Sequence, residues 1–346
     1  MADQSPPGSA PIFTNGHLRQ RQCRHGMMLY NLNDELQGTM LDKYGEYSEA
    51  EVDAYQQVLR PGMTAVEVGA NIGTHTVALA QMVGPAGRVL AFEPQRSIFQ
   101  MMCANVALNA LEQVETHWAA VGSAPGEVTI ARLDSRARQN FGGYSIGQAR
   151  EGDKVRLLTL DSFDLPACHL IKIDVEGMEA EVIRGGRSTI ARHGPVIFVE
   201  NESKEKSPEL IQLLWDLEYD CYWNVTPYVR VPNFRSDPEK LFHTMVSTNM
   251  LCVPRRLQVK IVGLHKVWRV DQDRQRQWVD GAGNFHSPEP LLSTDIERLY
   301  VSAEQLESLK FFDSARDYCN RILELQPDHA AARQKLQALL QMPSGP

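Results

Sequence analysis

The sequence predicts an α/β fold, a doubly wound and mostly parallel sheet carrying a C-terminal helical appendage. Three observations predict it. From Met63 onward, short β-branched apolar runs alternate with helical spacings in the strand–helix rhythm of a parallel sheet. The run "TAVEVGANIGTHTVALAQ" carries a strand through a glycine turn directly into a helix. After Gly281 the texture changes to a linker-like stretch and then to helical patterning alone.

Residues 1–20 are rich in Pro, Gly and Ser and read as a disordered tail. Residues 21–62 form a lead-in: a hairpin-like segment, then a helix with Ser48 as N-cap and Glu51 three residues later, the pattern of a capping box. Residues 63–256 are the main domain. Its strands are "MTAVEV", "RVLAFEP", "VETHWAAVG", "GEVTIARL", "VRLLTL", "HLIKIDV" and "PVIFVEN". Its helices cover "THTVALAQMV", "QRSIFQMMCANVALNA" and "MEAEVIRGGRSTIARHG", and "ELIQLLWDLEYDCYW" runs from helix into strand. "NMLCVP" supplies a last strand, and residues 257–290 connect to a helical segment at 291–346. There Leu299, Ala303, Leu306, Ala315, Ile322 and Pro327 sit as in one tetratricopeptide-like repeat, or equally as in an ordinary helical hairpin. Such a pair is expected to dock on a neighbour, as a homodimer contact or a protein-partner surface.

Bulk composition narrows the function. A net charge of −8 argues against nucleic-acid and anionic-membrane binding. No apolar run reaches ~18 residues, so membrane insertion is not expected. Six scattered cysteines without a C-x-x-C pair, and an N-terminus unlike a secretory signal, point to a reducing, cytoplasmic setting.

The glycine turn narrows it further. A dinucleotide site wants a second glycine where this chain has Asn71, so close approach of a diphosphate is disfavoured. Glu67 before Gly69 suits a cationic ligand, and Glu93, ending the next strand, suits a ribose. A ligand with a ribose, a cation and no phosphate is S-adenosylmethionine. The same glycines and acids can also be an ordinary strand-to-helix turn; their conjunction favours the ligand.

With those residues placed, "YGEYSEAE", "VEVGANIGTHT", "AFEPQ", "NFGGYSI", "HLIKIDVEGMEAEVIRGG" and "PVIFVEN" make the chain resemble the FkbM family of S-adenosylmethionine-dependent methyltransferases, over Tyr44 to about Pro254. The resemblance implies a Rossmann-like class I methyltransferase fold and O-methylation of a hydroxyl on a sugar, glycan or related natural product. It implies that Glu67, Gly69, Ala70, Asn71, Gly73 and Thr74 line the methionine side, that Glu93 holds the ribose, and that Ala120 and Val121 lie near the adenine.

At the carboxyl ends of the later strands stand Asp174 and Glu176, then Glu200 and Asn201; Asp174, Glu200 and Asn201 are the three that the chemistry singles out. Asp174 is expected beside the cofactor and, with Glu200, at the chemistry. Together the three oxygen donors resemble the metal triad of catechol-type methyltransferases and suit Mg²⁺ or Mn²⁺, with Glu200 one methylene longer than the Asp of that pattern. The rival reading makes Asp174 simply the base. His243 is a further candidate base. The loop with Asn140, Gly142, Gly143 and Tyr144 reads as a substrate-side lid, or as a surface turn. His75 reads as a neutral packing histidine and Lys172 as a salt-bridge residue. Two other readings stand beside the enzyme: an inactive methyltransferase-fold scaffold displaying a helical interaction module, and a nicotinamide-dependent oxidoreductase, which Asn71 disfavours.

Overall fold

The computed structural model describes residues 11–143, 149, 151–203, 205–239, 241–242, 245–258, 261, 264–267, 278–279, 285–286, 296, 299–300, 303–304, 307 and 312–342. The chain divides into two compact units, Met1–Ile261 and Val262–Pro346.

The first unit opens with an antiparallel meander, β1 (Phe13–Asn15), β2 (Leu18–Cys23) and β3 (Gly26–Asn31). Strands therefore begin inside the stretch expected to be loose, with the Phe13 and Leu18 runs pairing in register. Helices α1 (Gln37–Lys43) and α2 (Glu49–Val58) follow. The expected capping box is rearranged. Ser48 adopts a left-handed backbone (φ 51°), and its hydroxyl donates to Glu51 Oε1 at 2.9 Å instead of accepting a backbone N–H.

The main sheet contains β4 (Thr64–Val68), β5 (Arg88–Phe92), β6 (Val114–His117), β10 (Leu170–Ile173), β11 (Val196–Glu200), β12 (Tyr219–Pro227) and β13 (Val246–Pro254). Their order is β12-β13-β11-β10-β4-β5-β6. Five of them run parallel, and β13 runs antiparallel to both of its neighbours. β4 and β10 are buried along their whole length, as continuous apolar strands covered on both faces should be. The direction of winding reverses at β4, so a crevice opens where β4 and β10 end.

Helices α3 (Thr74–Val83), α4 (Arg96–Leu108), α5 (Glu179–Gly185), α6 (Arg187–His193) and α7 (Ser207–Asp216) complete this unit. Two expectations are corrected here. The single helix expected over 178–194 is broken at Gly186, where an added Cβ would come within 3.1 Å of Leu160. The strands expected at 114–122, 126–133 and 155–160 do not all join the main sheet: β7 (Ala120–Val121), β8 (Gly126–Ile130) and β9 (Asp153–Leu158) form a small sheet of their own, ordered β7-β9-β8.

In the second unit, Trp278–Val279 pairs antiparallel with Phe285–His286, and helices run over Phe312–Leu325 and Ala330–Leu339. Leu299, Ala303, Ala315, Ile322 and Leu339 share one buried cluster, so this unit has a core of its own. Leu306 lies outside the described residues, as does most of the connecting segment. All six cysteines are free thiols. Among the described residues no helix is long and apolar enough to cross a membrane.

Candidate active site

The glycine turn does what its sequence promises, for a reason set by the neighbouring strand. Gly69 leaves β4 at φ +81°, and a Cβ there would stand 1.7 Å from the Asp174 carbonyl oxygen at the end of β10. The backbone N–H groups of Gly69 and Ala70 both donate to the Phe92 carbonyl, at 3.0 and 2.9 Å, tying the turn to β5. Asn71 takes a left-handed backbone and caps the turn through its own side chain, Oδ1 accepting from Ile72 N–H at 2.8 Å. Gly73, also at positive φ, starts α3.

Glu93 stands at the end of β5, buried. Asn71 N–H donates to its Oε2 at 3.0 Å and Gln95 N–H to its Oε1 at 2.7 Å. Burial pushes its carboxyl up to about 7, against the pull of those two N–H groups. Each oxygen keeps a lone pair for a further donor. A cavity of about 450 Å³ opens beside it, lined among others by Gly69, Glu93, Ala120, Val121, Gly142 and Asp174. Ala120 and Val121, expected near the adenine, are among the residues lining this cavity.

Glu67 is more committed than the sequence implied. It is 1% exposed, accepts from Thr76 Oγ1 at 2.6 Å, and lies 3.6 Å from Lys172 Nζ. Lys172 also bonds Asp174 Oδ2 at 3.1 Å, so one buried ammonium bridges the acids of β4 and β10. Burial works against the Lys172 charge, but Asp174, Glu67 and Glu51 outweigh it and hold its pKa above the ordinary lysine value. Burial lifts Glu67 to about 7, with Lys172 and Thr76 opposing.

A second cavity, of about 270 Å³, shares Gly69, Glu93, Gln95, Gly142, Asp174 and Glu176 with the first. Ala70, Asn71, Asn140 and Glu200 also line it. Asn140 Oδ1 accepts from Gly142 N–H at 3.0 Å, and the loop is anchored by the buried Phe141, whose carbonyl accepts from Gln95 Nε2 at 2.9 Å. Tyr144 and His243 lie outside the described residues.

Three expected site residues are not brought to either cavity. Gly73 and Thr74 line neither, because Gly73 turns to Met102 and Thr74 is packed in the first turn of α3. Asn201 is corrected as a metal ligand: strand alternation turns it away from Glu200, and its Nδ2 contacts Met250 Sδ at 3.3 Å. Among the described residues no group of three or more His, Cys, Asp or Glu is placed to hold a metal ion. The acid–amide triad expected from the sequence does not fit.

Several lining residues were not singled out in the sequence. Gln37, Tyr47 and Glu51 come from the lead-in, Tyr228 from beyond β12, and Gln95 from the turn after β5. Of these only Gln95, near a strand end, carried a positional signal; Glu176, read at the end of β10, also lines the cavity. His75 is buried at 5% exposure between the rings of Tyr47 and Tyr55 (centroids 5.6 and 5.5 Å). Burial, then Lys172, pushes it down to about 3, so it is neutral, as its sequence position suggested. It nevertheless lines the second cavity.

A sheet of this order with reversed β13, a glycine turn that opens on a strand-end glutamate, and a cavity between them define a Rossmann-like class I methyltransferase fold. The sequence of that region points to a particular family: residues 67–221 match the model of the Methyltransferase FkbM domain. A relative, Methyltransferase 1 of Beauveria bassiana, is 28% identical over 142 residues, covering 35% of this chain and 57% of its own length. The crystal structure of Methyltransferase FkbM from Methylobacillus flagellatus KT is 17% identical, covers 58% of this chain and 50% of its own, and has a TM-score of 0.35. The precorrin-6y C5,15-methyltransferase of Geobacter metallireducens GS-15 is 14% identical, covers 59% and 86%, and has a TM-score of 0.37. The chain thus spans about half the length of the first two relatives.

Proposed function

We propose that this chain transfers a methyl group from S-adenosylmethionine to a hydroxyl of a sugar, glycan or related natural product. The observation that carries the donor half is Glu93, its carboxylate oriented by two backbone N–H groups beside a cavity large enough for a nucleoside. The donor supplies an electrophilic methyl on a sulfonium: as the acceptor oxygen forms its bond to carbon, the sulfur–carbon bond breaks and the pair returns to sulfur.

The chain's own residues then have distinct tasks. Glu93 accepts the ribose hydroxyls. Gln95 Oε1, buried and without a partner among the described residues, accepts a donor from the same ligand. Asp174 faces both cavities and is partly exposed, so it orients the acceptor hydroxyl and takes its proton. Lys172 fixes that carboxylate from below. The loop at Asn140–Gly143 covers the junction and keeps water from the transfer. A metal-assisted version with Asn201 as ligand is not carried forward, and the helical unit remains a proposed contact for a second copy or a protein partner.

The test is calorimetric titration of chelator-treated protein with S-adenosylhomocysteine, with and without Mg²⁺, beside an Asp174→Ala variant. Micromolar-range binding that does not need Mg²⁺, with methyl transfer lost in the variant, supports the reading. No binding in either condition overturns it in favour of an inactive scaffold.

A further inference from the structure

Carboxylates are prominent in the lining of the second cavity, and those outside the Lys172–Asp174 pair divide into two groups. Three are satisfied by the protein. Glu51 accepts from Ser48, Tyr55 and Asn249; Glu67 from Thr76 beside Lys172; and Glu93 from two backbone N–H groups. Glu176 and Glu200, by contrast, have no hydrogen-bond or ion-pair partner among the described residues, and Glu202 lines the same wall. The one ammonium lining the cavity among the described residues, Lys172, is already held between Glu67 and Asp174.

An independent feature points the same way. His75, 5% exposed, lines this cavity and leaves its Nε2 buried and unpartnered among the described residues. The ring's other nitrogen bonds the Tyr47 backbone, an interaction that favours the protonated ring and therefore comes from the carbonyl. Nδ1 is then the donor and Nε2 a lone pair. Gln37 Oε1, on a side chain 6% exposed, is likewise buried without a donor. A buried acceptor left without a donor is costly, so a site with several is completed by a ligand rich in N–H and O–H groups. The rings of Tyr47 and Tyr228, centroids 5.8 Å apart, line the same space and offer faces to a cation.

We propose that the methyl acceptor carries a protonated amine, an amino sugar or other amino alcohol, whose ammonium sits between Glu200, Glu176 and the Tyr47–Tyr228 pair while His75 Nε2 and Gln37 Oε1 accept from its remaining donors. This rests on the methyltransferase reading and narrows its substrate class. A neutral glycan would leave two carboxylates facing an uncharged ligand, and an anionic one would be repelled.

The test uses the full chain saturated with S-adenosylhomocysteine. Glucosamine, phenylalaninol and spermidine are each titrated against their N-acetylated forms, in wild type and in Glu200→Gln. At least one amine is expected to bind about tenfold or more tightly than its acetylated form. Glu200→Gln is expected to remove most of that preference without altering S-adenosylhomocysteine binding more than about twofold, since Glu200 lines only the second cavity. Absence of any amine preference, its survival in Glu200→Gln, or uptake of Mg²⁺ that displaces the amine overturns the inference and leaves the methyltransferase reading standing. Failure of S-adenosylhomocysteine itself to bind fells that reading first.

Discussion

The two adjoining cavities share a wall yet are finished differently. On the wall shared with the first, the protein answers its own charges: Glu93 is held by the Asn71 and Gln95 N–H groups, and Asp174 by Lys172. Around the second, Glu200, Gln37 Oε1 and His75 Nε2, together with Glu176 on the shared wall, are left without such answers among the described residues. The first is preorganised by backbone geometry, which every chain with this turn can reproduce. The second keeps its electrostatic debt open for a ligand to settle, and specificity resides there.

The contrast can be broken most severely at its hinge. Gly69→Ala drives a methyl into the Asp174 carbonyl and is expected to cost about 3 kcal/mol or more, with loss of S-adenosylhomocysteine binding. Thermal melts and calorimetry check both, and a variant that binds normally would show the close approach to be dispensable. Glu93→Gln leaves one of the two N–H donors facing an amide NH₂, and S-adenosylhomocysteine affinity should fall roughly tenfold or more. An unchanged affinity would place the ribose elsewhere.

The unanswered cavity should behave in the opposite sense. Glu200→Gln removes a half-buried carboxylate repelled by Asp174, Glu176 and Glu202, so the ligand-free protein should gain roughly 1 kcal/mol at pH 8. A stability loss in the melt would mean that the protein, not a ligand, already pairs this group. The smallest expected effect is on pH dependence. Glu67, Glu93 and Glu176 are raised from 4.5 to about 7, so the folded chain holds protons that the unfolded chain releases, and stability falls as pH rises between those values. His75, lowered from 6.5 to about 3, acts in the opposite direction below 6.5. From pH 6.5 to 7 the three carboxyls outweigh the fading opposition of His75 and His117, and chemical denaturation should show a decline on the order of 1 kcal/mol. A flat profile there would mean these acids are ionised in the folded protein.

What the sequence revealed follows the same division. The glycine turn and Glu93 were legible because a strand end and a required positive φ each leave a local mark, whereas Ala120 and Val121 came only with the family resemblance. The order of alternating strands and helices was legible for the same reason. The small β7-β9-β8 sheet was not, since apolar alternation shows that a segment is a strand and not which sheet it joins. Asn201 misled because adjacent residues on a strand face opposite sides, and the resemblance to a triad overrode that alternation. Gln37, Tyr47 and Tyr228 were illegible for a plainer reason: they reach the cavity from separate loops and helices, and nothing local distinguishes them from residues that pack elsewhere.

The contact between Gly69 and the Asp174 carbonyl also bears on how this site can change over generations. The glycine is demanded by a neighbouring strand before any ligand arrives, so positions 69 and 174 are mechanically one locus. A side chain acquired at 69 would push β10 outward and carry the Asp174 carboxylate with it, so a single substitution would forfeit donor cradle and acceptor chemistry together. The acceptor wall has no such lock and is free to drift toward new substrates while the turn stays fixed.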